Sequence, residues 1–391
     1  MKPQPAPSTG RLAYPAYYWP LWLTALSGLV DAAYLAVSHY RVHTDLGYKS
    51  FCAISKAINC ETVSQSPYSI LLGVPIAWHG VAGYLLFLAI LHPLRPGWER
   101  RGREAGWMIP QAMAIGFCLA SVGFALVSIL AIQAACLLCL ASYAVNGLLL
   151  YQIWMIRRRF PEMEARTSFV SSFKAHLGRM GWNWTLPVAL LAVATMLRLA
   201  TGAYWETEFP PLDAGVRQGV TEDGHPWIGA ESPRLTIVEF ADYQCFQCRK
   251  THEHLRRLVA AHPESLRLVH RHFPMDHQVN PLVREPFHQG AGKLALLAIA
   301  ASEAGRFWEV NDLLFQMQGK EAIQLVEVAR QVGLEPDAVA SALKDLSTRR
   351  QLNADIAEGL RLGITGTPGF VIDGTVYEAM IPPDVLSRIG R

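Results

Sequence analysis

Apolar residues in the first half of the chain gather into five long stretches, at 19–39, 72–93, 107–132, 134–156 and 183–201. Each approaches the roughly 20 residues a helix needs to cross the hydrocarbon core of a bilayer. Only a helix or a closed barrel satisfies the backbone there, so these stretches predict five spans. From about residue 202 the pattern changes. Leu235-Thr-Ile-Val-Glu-Phe-Ala-Asp242 is dense in β-branched and aromatic residues and predicts a buried strand. A helical pattern follows from Arg249 to about Ala261, then a second strand over 266–273. Helical patterns occupy 291–317, 321–332, 335–345 and 349–362, and Phe370-Val-Ile-Asp373 reads as a further strand. The 391 residues are enough for two domains.

Charge divides along the same line. Residues 1–201 carry 16 Lys/Arg against 7 Asp/Glu, and residues 202–391 carry 19 against 25. A nucleic-acid binder concentrates basic charge on its soluble part; here that part is acidic, which excludes a nucleic-acid partner. Charged residues make up 17% of the chain and apolar ones 51%, against roughly 25% charged in an ordinary soluble domain, so a single soluble domain is excluded as well.

Lys and Arg favour cytoplasmic loops. Twelve of them, among them Lys2, Arg11, Arg95, Arg100, Arg157 and Lys174, lie before the first stretch, between the second and third, or between the fourth and fifth. Only Arg41, Lys49 and Lys56 lie between the first and second. The N-terminus is therefore expected in the cytoplasm and, after five crossings, residues 202–391 outside it. About 18 polar and Pro-rich residues precede the first stretch without a small-residue cleavage pattern, which reads as a retained helix rather than a removed signal peptide. The expected organisation is a cytoplasmic tail at 1–18, a membrane domain at 19–156, a cytoplasmic loop and fifth helix at 157–201, a linker at 202–231 and a soluble domain at 232–391. The linker, with Gly202, Pro210, Pro211, Gly215, Gly219 and Gly224, reads as mobile.

Six of the seven cysteines form close pairs: Cys52 and Cys60 in the first outside loop, Cys136 and Cys139 opening the fourth span, and Cys245 and Cys248 in the soluble half. All three pairs then lie at or beyond the outer face, in a compartment where disulfides persist. Cys118, mid-span, reads as a small packing residue. Structural disulfides would staple loops, and four thiolates could hold zinc. The two Cys-x-x-Cys motifs sit in different domains, however, and His252 and His254 have the wrong spacing for a zinc pair, so no metal is expected and dithiol–disulfide exchange is the favoured reading. The strand–Cys-x-x-Cys–helix order places Cys245 at a helix N-terminus, where free N–H groups and the helix dipole favour a thiolate; Cys248 is then the resolving thiol. Cys136 and Cys139, at i and i+3, share a helix face with Tyr143 one turn deeper.

With Gly366-Thr367-Pro368-Gly369 leading into the last strand, residues 232–391 resemble the thioredoxin-fold disulfide oxidoreductases of the DsbA-like kind, with a helical insertion of about 75 residues. The resemblance implies a cis-Pro368 beside the Cys-x-x-Cys and a buried acid at Glu239, which as an isolated residue also reads as a strand-end carboxylate. The Phe-Gln dipeptide between the thiols departs from the common Pro-His and Gly-Pro.

The Cys52-x7-Cys60 loop, Ser66 beyond it, and Cys136-x-x-Cys139-x-x-x-Tyr143 resemble the vitamin K epoxide reductase family over about 19–156. Bacterial members of that family are often fused to a thioredoxin-like domain through an additional helix. The fold implied is a four-helix membrane core plus a fifth linking helix, followed by an α/β thioredoxin-fold domain. The resemblance further implies that Cys139 faces a quinone with Cys136 as its disulfide partner, that Cys60 exchanges with Cys136, and that Cys52 exchanges with the soluble domain. By the same resemblance Tyr143 donates to a quinone carbonyl and Ser66 and Ser69 line the region, Ser69 standing where animal members have an amide. Asp31 and His79, polar residues within spans, are left outside the site. The expected protein is a bacterial inner-membrane enzyme with its thioredoxin-like domain in the periplasm. It passes electrons from reduced exported proteins to the membrane's ubiquinone or menaquinone and so forms disulfides in its substrates. The alternatives are a disulfide reductase or isomerase, or a non-enzymatic membrane-anchored chaperone-like module.

Overall fold

The computed structural model describes residues 12–55, 57–97, 106–161, 185–212, 215–319, 323–335, 337, 340–341 and 343–390. The chain divides into two compact units, Met1–Val42 with Lys49–Ala203 and His43–Tyr48 with Tyr204–Arg391.

Among the described residues of the first unit four helices are long and apolar enough to cross a membrane: α1 (Pro15–Thr44), α3 (Ile76–Leu91, continued by a tight turn to Leu94), α4 (Met108–Val127) and α5 (Leu137–Arg159). A short helix α2 (Cys60–Gln65) and a two-strand hairpin, β1 (Ile70–Leu71) and β2 (Val74–Pro75), precede α3. The span expected from residue 72 therefore starts later, because Leu72 and Gly73, both at positive φ, form the hairpin turn. The bundle packs around Tyr18, Leu21, Ala25, Phe87, Leu149 and Ile153. Several polar groups inside it are paired between helices, the kind of interhelical hydrogen bond that holds membrane bundles together. Tyr84 donates to Asn146 Oδ1 (2.7 Å), Asn146 Nδ2 to Ser121 Oγ (2.9 Å) and Gln152 Nε2 to Thr24 Oγ1 (3.1 Å). Asp31 accepts from the Ser142 hydroxyl, which satisfies a carboxylate that would be costly alone.

The fifth span expected at 183–201 is a helix α6 (Thr185–Ala200) of 16 residues, with 183–184 outside the described residues. It extends about 24 Å at 1.5 Å per residue, the same as α3 and short of α1, α4 and α5.

The second unit is built on a six-stranded sheet of order β3-β4-β6-β5-β7-β8: β3 (Gln218–Val220), β4 (Pro226–Gly229), β5 (Leu235–Ala241), β6 (Leu266–His272), β7 (Gly369–Ile372) and β8 (Thr375–Glu378). β5 and β6 are parallel and joined by α7 (Phe246–Ala261); the other pairings are antiparallel. Side chains alternate along β5. Leu235, Ile237 and Ala241 enter the core shared with Cys248, Leu255 and Val259 of α7, while Phe240 enters the opposite core with Phe273, Ile299 and Ile356. α8 (Ala291–Glu303), α9 (Phe307–Met317), α10 (Leu325–Gln331) and α11 (Leu346–Arg361) complete the helical part, and α12 (Pro383–Leu386) follows β8. The mixed sheet with its helices is a thioredoxin-like α/β fold.

Three expectations are corrected. The linker of 202–231 contains β3 and β4, so the stretch without strands ends near residue 217. Two of the glycines read as mobile, Gly219 and Gly224, belong to this hairpin. A Cβ on Gly219 would lie 2.5 Å from the Trp227 ring, and Gly224 takes φ +88° in the turn. The helix expected over 291–317 is broken at 304–306, where Gly305 takes φ +69° and ends α8 in a left-handed turn. Cys136 is not inside the fourth helix but caps it, with φ −100° and ψ 120°. Of the helix expected at 335–345, residues 336, 338, 339 and 342 lie outside the described residues.

A buried ion pair ties α11 to the β3–β4 hairpin. Asp355, fully buried, accepts from His225 Nε2 (2.6 Å) and from the His272 backbone N (3.0 Å). Burial pushes the His225 pKa down, but the hydrogen bond and charge of Asp355 outweigh it and raise the value above 6.5. Asp355→Ala leaves these donors buried without a partner, and a loss of about 3–5 kcal/mol is expected, read from urea unfolding of the full chain. A histidine whose folded pKa is raised stabilises fully below its unfolded pKa and loses that contribution as pH rises through the folded value. The gap between wild type and variant should accordingly be wider near pH 6 than near pH 9.

Candidate functional site

Two clusters of sulfur chemistry stand out, one in each unit.

In the membrane unit, Cys52 and Cys60 form a disulfide with a Cα–Cα distance of 5.7 Å. Asn59 caps α2, its Oδ1 accepting from the backbone N of Glu61 (2.9 Å) and Thr62 (3.2 Å), and this fixes Cys60 at the helix start. Two backbone bonds, Asn59 N to Ala135 O (2.9 Å) and Ala135 N to Ala57 O (2.8 Å), clamp the loop to the segment entering α5. The clamp brings Cys52, Cys60 and Cys136 into one buried cluster, with Cys139 packed against it. Cys136 and Cys139 are in the dithiol form. As the cap of α5, Cys136 Sγ accepts from the Cys139 backbone N (3.2 Å). The Ser50 hydroxyl lies 3.2 Å from Cys52 Sγ, a contact the spacing of the cysteines does not reveal.

A cavity of about 370 Å³ opens against this cluster. Cys60, Cys136, Cys139, Tyr143, Ser69 and His39 are in its wall, which is mostly apolar. Ser69 Oγ is 3.2 Å from His39 Nε2. Ser66 is placed differently from expectation: among the described residues it is not part of the wall, and its hydroxyl donates to Val63 O (2.8 Å) in a turn. Asn146 and His79 are wall residues that the motif reading left out; His79 Nδ1 lies 3.3 Å from Pro75 O. Cys118 Sγ donates to Asn146 O (3.4 Å) and is half-buried.

In the second unit Cys245 caps α7 and its Sγ accepts from the Cys248 backbone N (3.3 Å). Cys245 is 9% exposed and Cys248 fully buried. Both are thiols. The hydrogen bond from Cys248 pulls the Cys245 pKa below 9 against the effect of burial. Burial, followed by the hydrogen bond and charge of Cys245, pushes Cys248 well above it. A thiolate attacks and a thiol waits, so the environment separates an attacking sulfur from a resolving one. The Thr367–Pro368 bond is cis, and Cys245 Sγ donates to Thr367 O (3.4 Å).

Glu239 is not at a strand end. It lies mid-β5, fully buried, opposite His270 of β6, with Oε2 accepting from His252 Nδ1 (2.6 Å). Glu239, His252 and His270 have potential ligand atoms within 4.8 Å of one another. Both ring nitrogens of His252 are engaged, Nδ1 with Glu239 and Nε2 with Asn311 Nδ2 (2.8 Å), while Glu239 Oε1 and both ring nitrogens of His270 are buried without a hydrogen-bond partner. A carboxylate acting on both thiols is Asp242, buried three residues before Cys245.

Residues 19–154 match the vitamin K epoxide reductase family and residues 221–389 match a thioredoxin family. Among curated relatives, the Na(+)/H(+) antiporter NhaA 3 of Salinispora tropica is 29% identical over 160 residues, 41% of this chain. The Na(+)/H(+) antiporter NhaA of Herminiimonas arsenicoxydans is 28% identical over 148 residues, 37% of this chain. The chain spans only 23% and 22% of the length of these relatives. Among solved structures, a thioredoxin-like oxidoreductase from Silicibacter pomeroyi is 23% identical with a TM-score of 0.36, covering 44% of this chain and 91% of its own. DsbA2 of Pseudomonas aeruginosa is 25% identical with a TM-score of 0.32, covering 42% and 91%.

Proposed function

We propose that the chain, whose residues 19–154 match the vitamin K epoxide reductase family and residues 221–389 a thioredoxin family, is a membrane thiol oxidoreductase that forms disulfides in exported proteins at the expense of a membrane quinone. The observation that carries this reading is the placement of Cys136 and Cys139 in the wall of the cavity, with Cys136 in the same buried cluster as the Cys52–Cys60 disulfide.

Each exchange is an attack of a thiolate on a disulfide sulfur, through a mixed disulfide, with a second thiolate leaving. A substrate thiolate attacks Cys245 of the oxidised Cys245–Cys248 pair, and a second substrate thiol releases the substrate as a disulfide, leaving both cysteines reduced. Cys245 then attacks Cys52, Cys248 resolves the mixed disulfide, and Cys52 and Cys60 become thiols. Cys60 attacks Cys136 of the Cys136–Cys139 disulfide, freeing Cys139 as a thiolate in the cavity wall, and Cys52 then attacks Cys60, which re-forms the Cys52–Cys60 disulfide and releases Cys136. Re-formation of the Cys136–Cys139 disulfide would give up two electrons and two protons to a quinone held there, which would leave as the hydroquinone. A cavity of about 370 Å³ is within the range of pockets for small organic ligands, and its apolar wall with the Tyr143 hydroxyl and the Ser69–His39 pair suits an apolar ring bearing carbonyl oxygens. Tyr143 and Ser69 would hold it. Ser66 remains a support of the loop. Pro368 is proposed to present backbone to the substrate chain, and Glu239 to take or return a proton during exchange.

The soluble part is proposed to lie in the periplasm of a bacterium, with the N-terminus in the cytoplasm. Antiport is not part of the proposal, because the likeness to the antiporters covers under a quarter of their length. The test is to mix the purified full chain with a reduced dithiol peptide and a ubiquinone or menaquinone analogue without oxygen. Quinone absorbance should fall in step with peptide disulfide formation. A peptide that stays reduced, or that is oxidised without quinone loss, would refute the reading and favour a reductase or isomerase.

A further inference from the structure

The motif Cys245-Phe-Gln-Cys248 places no cation between its thiols. Arg249 and Lys250 follow the motif, and the nearest carboxylate is Asp242, at 1% exposure beyond the end of β5. Its Oδ1 accepts from Gln244 N (2.7 Å), and its Oδ2 from Met275 N (2.7 Å) and His288 Nδ1 (2.7 Å). A carboxylate here, unaccompanied, would repel a thiolate on Cys245 and work against its chemistry.

His288 arrives from the segment 273–290 between β6 and α8, and that segment is pinned in place. Asp276, itself 1% exposed, accepts through Oδ2 from Gly290 N (2.9 Å) and Gly292 N (3.3 Å). Gln244, beside the motif, donates to Gln289 O (2.8 Å). The Phe287 ring stacks on the imidazole with centroids 3.9 Å apart. His288 itself takes φ +39°, a region that residues other than glycine seldom occupy and in which held backbone concentrates at functional positions.

We propose that His288, hydrogen-bonded to Asp242, supplies the positive charge opposite the Cys245 thiolate that the motif itself lacks. It is a positioning residue, acting on the sulfur through charge. The group it contacts is Asp242 from the end of β5, and Asp276 from its own segment and Cys245 from the start of α7 act on it through charge. Burial pushes the imidazole pKa down, but the hydrogen bond and charge of Asp242, helped by Cys245 and Asp276, raise it above 6.5. In return, His288 adds to the lowering of the Cys245 pKa that the Cys248 hydrogen bond begins. The imidazolium cancels the repulsion of Asp242 and leaves the thiolate facing a cation.

This inference rests on Cys245 being the attacking thiol, and it fails separately from quinone coupling because alkylation reads the thiolate alone. The rate of iodoacetamide modification at Cys245 of the reduced full chain is measured against pH, with peptide fragmentation separating Cys245 from Cys248. His288→Gln should raise the midpoint of that curve by about one pH unit, a roughly tenfold slower reaction below the midpoint, and His288→Lys should keep the midpoint low. An unmoved midpoint in His288→Gln, or an equal rise in both variants, overturns the proposal. A measurement on the unmutated chain guards against misfolded variants: by linkage, the His288 imidazole signal in nuclear magnetic resonance should titrate at higher pH in the dithiol form than in the Cys245–Cys248 disulfide form. Equal titration in the two forms overturns it as well.

Discussion

Replacing Cys139 with alanine is expected to reduce quinone consumption by the chain about a thousandfold or more, since loss of a covalently acting nucleophile removes most of an enzyme's rate. Cys139 is the second thiol of the pair in the cavity wall. Without it Cys136 has no partner with which to close a disulfide and give up two electrons, so the electrons stop at the loop. Cys118→Ala should leave the rate within about twofold, because a free cysteine of that kind behaves as a small hydrophobe. Its sulfur contacts Asn146 O rather than another sulfur. The comparison is made by following quinone absorbance with a reduced peptide as donor. Equal loss in both variants would count against the pairing of Cys136 with Cys139.

The second large effect concerns the soluble site. Cys248→Ala is expected to trap exported proteins on Cys245 as mixed disulfides visible on a non-reducing gel. Cys248 sits fully buried one helical turn from Cys245, an intramolecular thiol whose removal lengthens the lifetime of the adduct by about a thousandfold or more. Cys245→Ala should give no adducts, since the remaining thiol is buried and held protonated by its surroundings. Adducts that form equally through Cys248 would reverse the assignment of attacking and resolving sulfurs.

The cysteine pairs, the four long helices and the central strand of the soluble unit could be read directly from the sequence. Their determinants are local: uninterrupted apolar runs, alternation along Leu235–Ala241, and spacings of three and eight residues. Features that depend on distant partners could not. Gly219 and Gly224 read as part of a mobile linker, yet β4 pairs with β6 some 40 residues on, and Gly219 is small because the Trp227 ring covers it. The second-span apolar run extends over Leu72, but two positive φ angles turn the chain there. Cys136 lies one residue outside its helix, where the backbone clamp to Ala57 and Asn59 holds it against Cys60, a geometry no i, i+3 rule contains. Ser66 lay in the right loop, but its hydroxyl is taken by Val63 O. At the soluble site Glu239 was legible as a buried acid. Asp242 stands three residues before Cys245 and could have been noticed as the only acid between the strand and the motif. His288, 43 residues after Cys245, gave no sign, because the left-handed backbone at that position and the Asp276 bonds that pin its segment exist only in the folded chain.

The central claim is that three cysteine pairs form one electron path ending at the cavity, and a titration of the isolated protein tests it most directly. The full chain is reduced completely, freed of reductant and titrated without oxygen against a quinone analogue, with the state of every cysteine read by mass spectrometry. Each pair yields two electrons, so the account predicts three equivalents of quinone consumed per chain, with Cys52–Cys60, Cys136–Cys139 and Cys245–Cys248 all ending as disulfides. Consumption that stops at one equivalent, with Cys245 and Cys248 still reduced, would contradict it.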